Sequence, residues 1–318
     1  MIVKSLNSPI KLQMEEALLR RLPLDHKKRP QIEQSFKKNR AGFRGEQNLA
    51  YYLEFLPNND YHILYDLRLC FDNKVVQLDT LILHPQFSII IESKNIYGHL
   101  FFDQHSRQLI RTYEGEEEGF PNPLTQAKRQ KSRLEEWLKL HHFKPFPIEF
   151  LVSVGTPGTV LKTNPNMKHI FQKVLHAEHI PDKIVELQQE QPSNKLTPYY
   201  LQKMTNLLLE HHTPAKPNLL QWYEIKATEL LTGVQCPKCS LFAMDRIHGG
   251  WLCPHCKHTS NTAHQQAIRD YLLFHPTITN QECRQFLHLS SRCAAKRLLQ
   301  GMQLPFTGAG KGRVYGRL

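Results

Sequence analysis

At 318 residues, 40% apolar and 22% charged, the chain has an ordinary globular composition and enough length for about two domains with real cores. No stretch approaches a membrane span. Lys and Arg outnumber Asp and Glu by 41 to 29, a net charge of +12, which fits a polyanionic partner or a solvated basic surface that keeps the protein in solution.

The opening segment, MIVKSLNSPIKLQMEEALLRRL, lacks the continuous apolar stretch of a signal peptide. It reads as a short lead-in followed by an amphipathic helix, so the cytoplasm is the expected compartment. Residues 42–56, GFRGEQNLAYYLEFL, read as a second amphipathic helix with Phe43, Leu49, Ala50, Leu53 and Leu56 on its apolar side. Glu46 falls at i+3 from Phe43 and i−4 from Ala50, so it faces inward. Such a Glu serves a buried Arg, sits at the edge of the apolar stripe, or belongs to a site.

Two runs rich in β formers follow, VVQLDTLIL (75–83) and FSIIIESK (87–94), with a short hairpin loop over His84–Phe87. The strand period of two places Ser88, Ile90, Glu92 and Lys94 on one face. A register with Leu83 facing Ser88 puts Asp79 opposite Glu92 and Gln77 opposite Lys94. Directly opposed side chains have Cβ atoms roughly 4.5–5.5 Å apart, and two carboxylates that close repel unless a cation lies between them. A divalent metal is the simplest such cation. A one-residue slip would turn Asp79 to the other face, and a strand leaving a core can also simply expose a charged pair.

Gly42-Phe43-Arg44-Gly45-Glu46, Gln77-Leu78-Asp79, Glu92-Ser93-Lys94 and Asn122-Pro123-Leu124-Thr125-Gln126 resemble, in order and spacing, the successive motifs of the NERD, or nuclease-related, domain. That domain is a branch of the PD-(D/E)XK nuclease superfamily. The resemblance covers roughly residues 38–155. It implies an α/β fold, a nuclease-like sheet flanked by helices, in which Asp79 and Glu92 bind Mg²⁺ or Mn²⁺ and Lys94 positions the attacking water or the phosphate. Glu46 would assist at the metal, and Gln126 would help to place substrate. The chemistry agrees, since phosphodiester hydrolysis needs a nucleophilic water and an oxygen-bound cation, and carboxylates are the ligands that suit Mg²⁺.

Residues 156–220 alternate strand-like and helix-like pieces that complete or flank this core, and HHTPAKPN (211–218) reads as a linker. From Cys236 to Leu318 the chain carries eleven basic and three acidic residues, about two-thirds of the excess charge. This basic quarter opens with Cys236-Pro237-Lys238-Cys239 and Cys253-Pro254-His255-Cys256, two C-x2-C knuckles thirteen residues apart, the spacing of a zinc ribbon with one structural Zn²⁺ per chain. His255 and His258 are alternative ligands, but both knuckles are complete without them. Cys70, Cys283 and Cys293 read as small buried hydrophobes.

The end of the chain reads as three short helices and a wing. HQQAIRDYLLFHP (264–276) stops at its proline, Thr279-Asn280-Gln281-Glu282 is a capping box, and Ser290 or Ser291 caps a third helix reaching about Met302. On that third helix Ala294, Ala295, Leu298 and Met302 face inward, and Arg292, Lys296 and Gln300 form an outward polar stripe. FTGAGKGRVYGRL adds a Gly-rich turn carrying Lys311, Arg313 and Arg317, an arrangement that resembles a winged helix-turn-helix.

The expected organisation is a lead-in and helix over 1–37, a nuclease-like domain over 38–155, an extension and linker over 156–220, a ribbon over 221–262 and a helix-turn-helix or winged-helix-like module over 263–318. The expected function is a metal-dependent nuclease whose C-terminal modules hold nucleic acid, DNA foremost, with Arg292, Lys296, Lys311 and Arg313 as contacts. The alternatives are a non-catalytic DNA-binding or regulatory protein that keeps the nuclease-like fold as a surface, and an RNA-processing enzyme of the same chemistry.

Overall fold

The computed structural model describes residues 1–57, 60–191 and 196–317, with Lys311 described in its backbone only. In chain order the elements are β1 (Ile2–Lys4), α1 (Ile10–Arg21), α2 (Arg29–Leu53), β2 (His62–Phe71), β3 (Lys74–Leu83), β4 (Ser88–Lys94), β5 (His99–Phe102), β6 (Leu109–Tyr113) and β7 (Glu116–Phe120). Next come α3 (Pro123–Leu140), β8 (Ile148–Val154), β9 (Val160–Thr163), β10 (Val174–His176), α4 (Ile180–Glu190), α5 (Pro198–Glu210) and α6 (Leu219–Trp222). The last are β11 (Asp245–Ile247), β12 (Gly250–Leu252), β13 (Thr259–Ser260), α7 (Ala263–Phe274), β14 (Thr277–Thr279), α8 (Asn280–Leu287), α9 (Arg292–Gly301), β15 (Phe306–Thr307) and β16 (Val314–Gly316). Two compact units result: Met1–Ser8 with Lys38–Ala215, and Pro9–Lys37 with Lys216–Leu318. No helix among the described residues is long and apolar enough to cross a membrane.

The first unit is a three-layer α/β structure. Its six-stranded sheet runs β1-β2-β3-β4-β8-β10, antiparallel from β2 through β4 and parallel from β4 through β10. The isoleucines of β4 decide the layering, because a strand buried on both faces must be apolar at every position. Ile89 and Ile91 pack with Leu49 and Leu53 of α2 and Ile180 and Ile184 of α4. Ile90, between them, packs on the opposite face with Leu134 and Trp137 of α3 and Met204 and Leu208 of α5. Residues 156–215 thus supply two strands and two helices to this unit. A second sheet, β7-β6-β5-β9, places Leu100, Phe102 and Leu109 against Val152 and Val154 of β8.

Helix α3 starts where NPLTQ requires it to start. The Asn122 side chain accepts the Leu124 N–H, and Pro123 occupies the first turn, where its missing donor costs nothing. Gln126 therefore sits one turn in.

The second unit joins the ribbon, the winged helix and α1. Met244 and Trp251 of the ribbon share an apolar cluster with Ile268 and Leu272 of α7, Leu287 of α8 and Leu299 of α9. The ribbon is the sheet β11-β12-β13, and Gly249, at φ 76°, makes its first tight turn. Strands β14, β16 and β15 form the wing sheet around α8 and α9. Thr279 and Glu282 form the reciprocal capping box of α8, and Ser291 caps α9. Helix α1 packs Met14 and Leu18 with Leu219, Tyr223 and Ile225. The buried Asp270 carboxylate of α7 accepts from Arg21 Nε at 2.8 Å and from Arg20 Nη2 at 3.1 Å. Arg21 also donates to the Leu231 carbonyl at 2.8 Å, so a charge placed in the interior has several partners.

Candidate active site

The hairpin of β3 and β4 holds Leu83 opposite Ser88, and its ladder ends at Thr80 opposite Ile91. Beyond that pair β4 continues only along β8, through Glu92, Ser93 and Lys94. The Asp79 carboxylate occupies the gap: its Oδ2 accepts the Ser93 N–H at 2.9 Å. Strand β3 is also irregular here, because Val76 and Leu78 pack on the same face as Leu81 and Leu83, which strict alternation forbids. The ladder to β2 skips both Asp79 and Asp66, and Asp66 has φ 48°, a left-handed conformation rare outside glycine. The irregularity brings Asp66 into the group. Its carboxylate accepts from the exposed Gln77 amide at 2.8 Å, so Gln77 engages Asp66 and not Lys94.

Glu92 is buried with both oxygens engaged. Oε1 accepts from Lys94 Nζ at 2.5 Å, and Oε2 from Gln130 Nε2 at 2.6 Å. Lys94 also donates to Gln126 Oε1 at 3.2 Å, and Gln130 donates to the Gln77 carbonyl at 3.0 Å. Glu46 of α2 carries no hydrogen bond among the described residues. Burial, together with the charges of Asp79, Asp66 and Glu92, pushes its pKa up to about 8. Burial and the neighbouring Glu92 likewise raise Asp79, against the opposing pull of the Ser93 N–H and Lys94. Glu46, Asp66, Asp79 and Glu92 thus form one group of acids, with Lys94 beside Glu92 and Lys4 beside Asp66, whose carbonyl accepts from it at 3.0 Å. The acids are not drawn into a closed cage, since among the described residues only four cysteines bring three or more ligand atoms within 4.8 Å of one another.

Glycine brings Glu46 to this place. A Cβ on Gly45 would lie 2.6 Å from Asn95 Cβ, and one on Gly155 would lie 2.9 Å from Gly45 Cα. The same contact is fastened by Asn95 Nδ2 on the Ala41 carbonyl at 2.7 Å and Asn48 Nδ2 on the Gly155 carbonyl at 2.5 Å. A Cβ next to the backbone cannot swing aside. Gly45→Ala is therefore expected to cost about 1–3 kcal/mol of stability and to move Glu46 away from Asp79. Urea unfolding with an unchanged midpoint would show that the contact is loose.

Residues 41–154 match the family described as NERD, nuclease-related domain. This segment is a nuclease-related domain. No curated protein and no solved structure matches the chain. Within the nuclease-related domain, Asp66, Asn95 and Gln130 are polar groups of the site that carry no motif of their own. Only the i+4 spacing of Gln130 from Gln126 on an amphipathic helix could have drawn attention to it.

In the second unit Cys236, Cys239, Cys253 and Cys256 place their sulfurs within 4.8 Å of one another, with the pairs 236–256 and 239–253 at 3.6 Å. Tetrahedral Zn–S bonds of about 2.3 Å put sulfurs roughly 3.8 Å apart, so the thiols suit a structural zinc. No disulfide is present among the described residues. Cys283 is buried, but Cys70 and Cys293 are exposed, contrary to the expectation for small apolar side chains. On α9, Arg292, Lys296 and Gln300 face outward and Ala295, Leu298 and Leu299 inward. With Asn280, Arg284 and Arg313 they line a cavity of about 610 Å³. Arg284 was not among the sequence candidates. The Arg313 guanidinium lies 4.2 Å from the Phe306 ring centre, and the side chain of Lys311 lies outside the described residues.

Proposed function

We propose that this chain is a metal-dependent nuclease, with Asp79 and Glu92 as the principal ligands of Mg²⁺ or Mn²⁺, Glu46 assisting, and Lys94 and Gln126 at the phosphate. The observation that carries the reading is the Glu92–Lys94 ion pair set beside Asp79 where β3 and β4 separate. The donor set suits a hard divalent cation, because it is all carboxylate and Glu46 makes no side-chain hydrogen bond among the described residues. When bound, such a cation offsets charge on the phosphoryl oxygens and activates a water. The protein supplies the positioning. The Ser93 N–H and the Gln130 amide fix the orientations of the Asp79 and Glu92 carboxylates, and Gln126 holds the Lys94 ammonium where it can donate to a phosphate oxygen. The test is incubation of the purified protein with labelled duplex DNA, single-stranded DNA and RNA, each with Mg²⁺, Mn²⁺ or EDTA. Binding without cleavage under any divalent metal would favour a non-catalytic nucleic-acid-binding protein.

The ribbon and winged helix supply the grip in this reading. Docking them raises the local concentration of phosphodiester at a site of weak intrinsic affinity. Arg292→Ala, Lys296→Ala and Arg313→Ala together should weaken duplex binding. Each lost phosphate contact should lower the slope of log affinity against log salt by about 0.9. Cleavage of substrate at saturating concentration should survive. An unchanged salt slope would remove α9 and the wing from the interface.

A further inference from the structure

A second cavity, of about 810 Å³, lies along α3 beside the acids, and its lining includes Gln126, Gln130, Arg107, Arg129 and Arg133 but no Asp or Glu. Gln126 touches Lys94 and Gln130 touches Glu92, so the lining of the cavity begins at the proposed site itself. Arg129 and Arg133 continue from there on the same helix face, one turn apart, about 6 Å along the axis. That step is of the order of the distance between successive phosphates in an extended strand. Arg133 pairs with Glu136 at 3.1 Å, but neither Arg107 nor Arg129 has an ion pair or hydrogen bond among the described residues. Both are exposed, and Arg107 is held at φ 56°, a conformation with an energetic cost for an arginine.

We infer that this cleft is the track for one unpaired strand of nucleic acid, with Arg107 and Arg129 holding the phosphates that flank the scissile bond. The inference deepens the nuclease reading and rests on it. Unneutralised guanidinium groups in a groove without acids select a polyanion, and a groove that tracks a backbone needs no base-specific contacts. A cavity of this size holds a few nucleotides of a single strand. The cutting site thus takes a single strand.

The test uses the full chain carrying Arg292→Ala, Lys296→Ala and Arg313→Ala, so that winged-helix binding is suppressed. Binding of fluorescein-labelled hexathymidylate is followed by anisotropy across a salt series, with the zinc-loaded protein in buffer without Mg²⁺ or Mn²⁺. Adding Arg107→Gln and Arg129→Gln should weaken binding by about tenfold or more and lower the salt slope by about 1.4, two contacts on a single strand. Arg129→Lys, which keeps the charge, should retain most of the slope. A blunt duplex of equal length should displace the oligonucleotide poorly. An unchanged slope, or equal competition by the duplex, overturns the inference whatever cleavage shows. A lowered slope in a protein that never cuts would leave the strand track standing and remove the nuclease reading.

Discussion

Asp79→Asn is expected to abolish metal-dependent cleavage while making the first unit more stable in EDTA. The two effects have one cause. Asp79 is buried beside Glu92, and burial and that neighbouring acid both disfavour its charge, with the Ser93 N–H and Lys94 pulling the other way. Neutralising it relieves that repulsion in the apo protein, so the melting temperature should rise by a few degrees, since about 1 kcal/mol corresponds to 2–4 °C for a unit of this size. Cleavage should fall by about a thousandfold or more, equivalent to about 4 kcal/mol of transition-state stabilisation. Mg²⁺ should raise the melting temperature of the wild type and not that of the variant, because a ligand stabilises only the state that binds it. Glu92→Ala and Lys94→Ala should also abolish cleavage, but without the gain in stability. Each breaks a partly buried ion pair and leaves its partner among the remaining charges. Calorimetry with and without Mg²⁺, alongside a cleavage assay, checks the set. A wild type whose melting temperature ignores every divalent metal would end the argument for a metal at these acids.

Loss of the zinc should unfold the entire second unit and leave the first intact. The ribbon strands are two or three residues long and cannot hold together without the metal. Zinc contributes about 10–16 kcal/mol of folding free energy in isolated fingers, as much as a domain's whole stability of about 5–15 kcal/mol. The loss should spread, because Met244 and Trp251 share their cluster with α7, α8 and α9, and Asp270 of α7 holds Arg20 and Arg21 of α1. Cys239→Ser or Cys253→Ser, or a strong chelator, should therefore expose residues 9–37 and 216–317 to protease together. Mass spectrometry should find a resistant fragment running from near Lys38 to near Ala215. Elemental analysis should give one zinc per chain in protein purified without chelator. Protein free of zinc that keeps its second unit folded would refute the assignment.

The sequence by itself determined the features whose cause is local. The isoleucines of β4 and the two-residue loop at Pro85-Gln86 set the register that places Asp79 near Glu92. Asn122-Pro123 starts α3, Thr279 with Glu282 caps α8, Ser291 caps α9, and the cysteine spacing brings four thiols together. Each depends on residues no more than 20 positions apart, so the chemistry can be read along the chain. Only the tertiary structure decided the rest. Asp66 enters the acid cluster through an irregularity in two strands at once, which no alternating pattern predicts. Helix α2 begins at Arg29, well before the amphipathic stretch that marks its second half, and residues 9–37 belong with the C-terminal modules. Asp270 and Arg21 are about 250 positions apart, and contacts that distant leave no periodic mark in sequence. Arg129 and Arg133 lie on α3 and Arg107 between β5 and β6, and their place beside the acids shows only where Gln126 and Gln130 touch Lys94 and Glu92. A helix periodicity specifies which residues share a face; the packing of that helix against the sheet determines what the face meets.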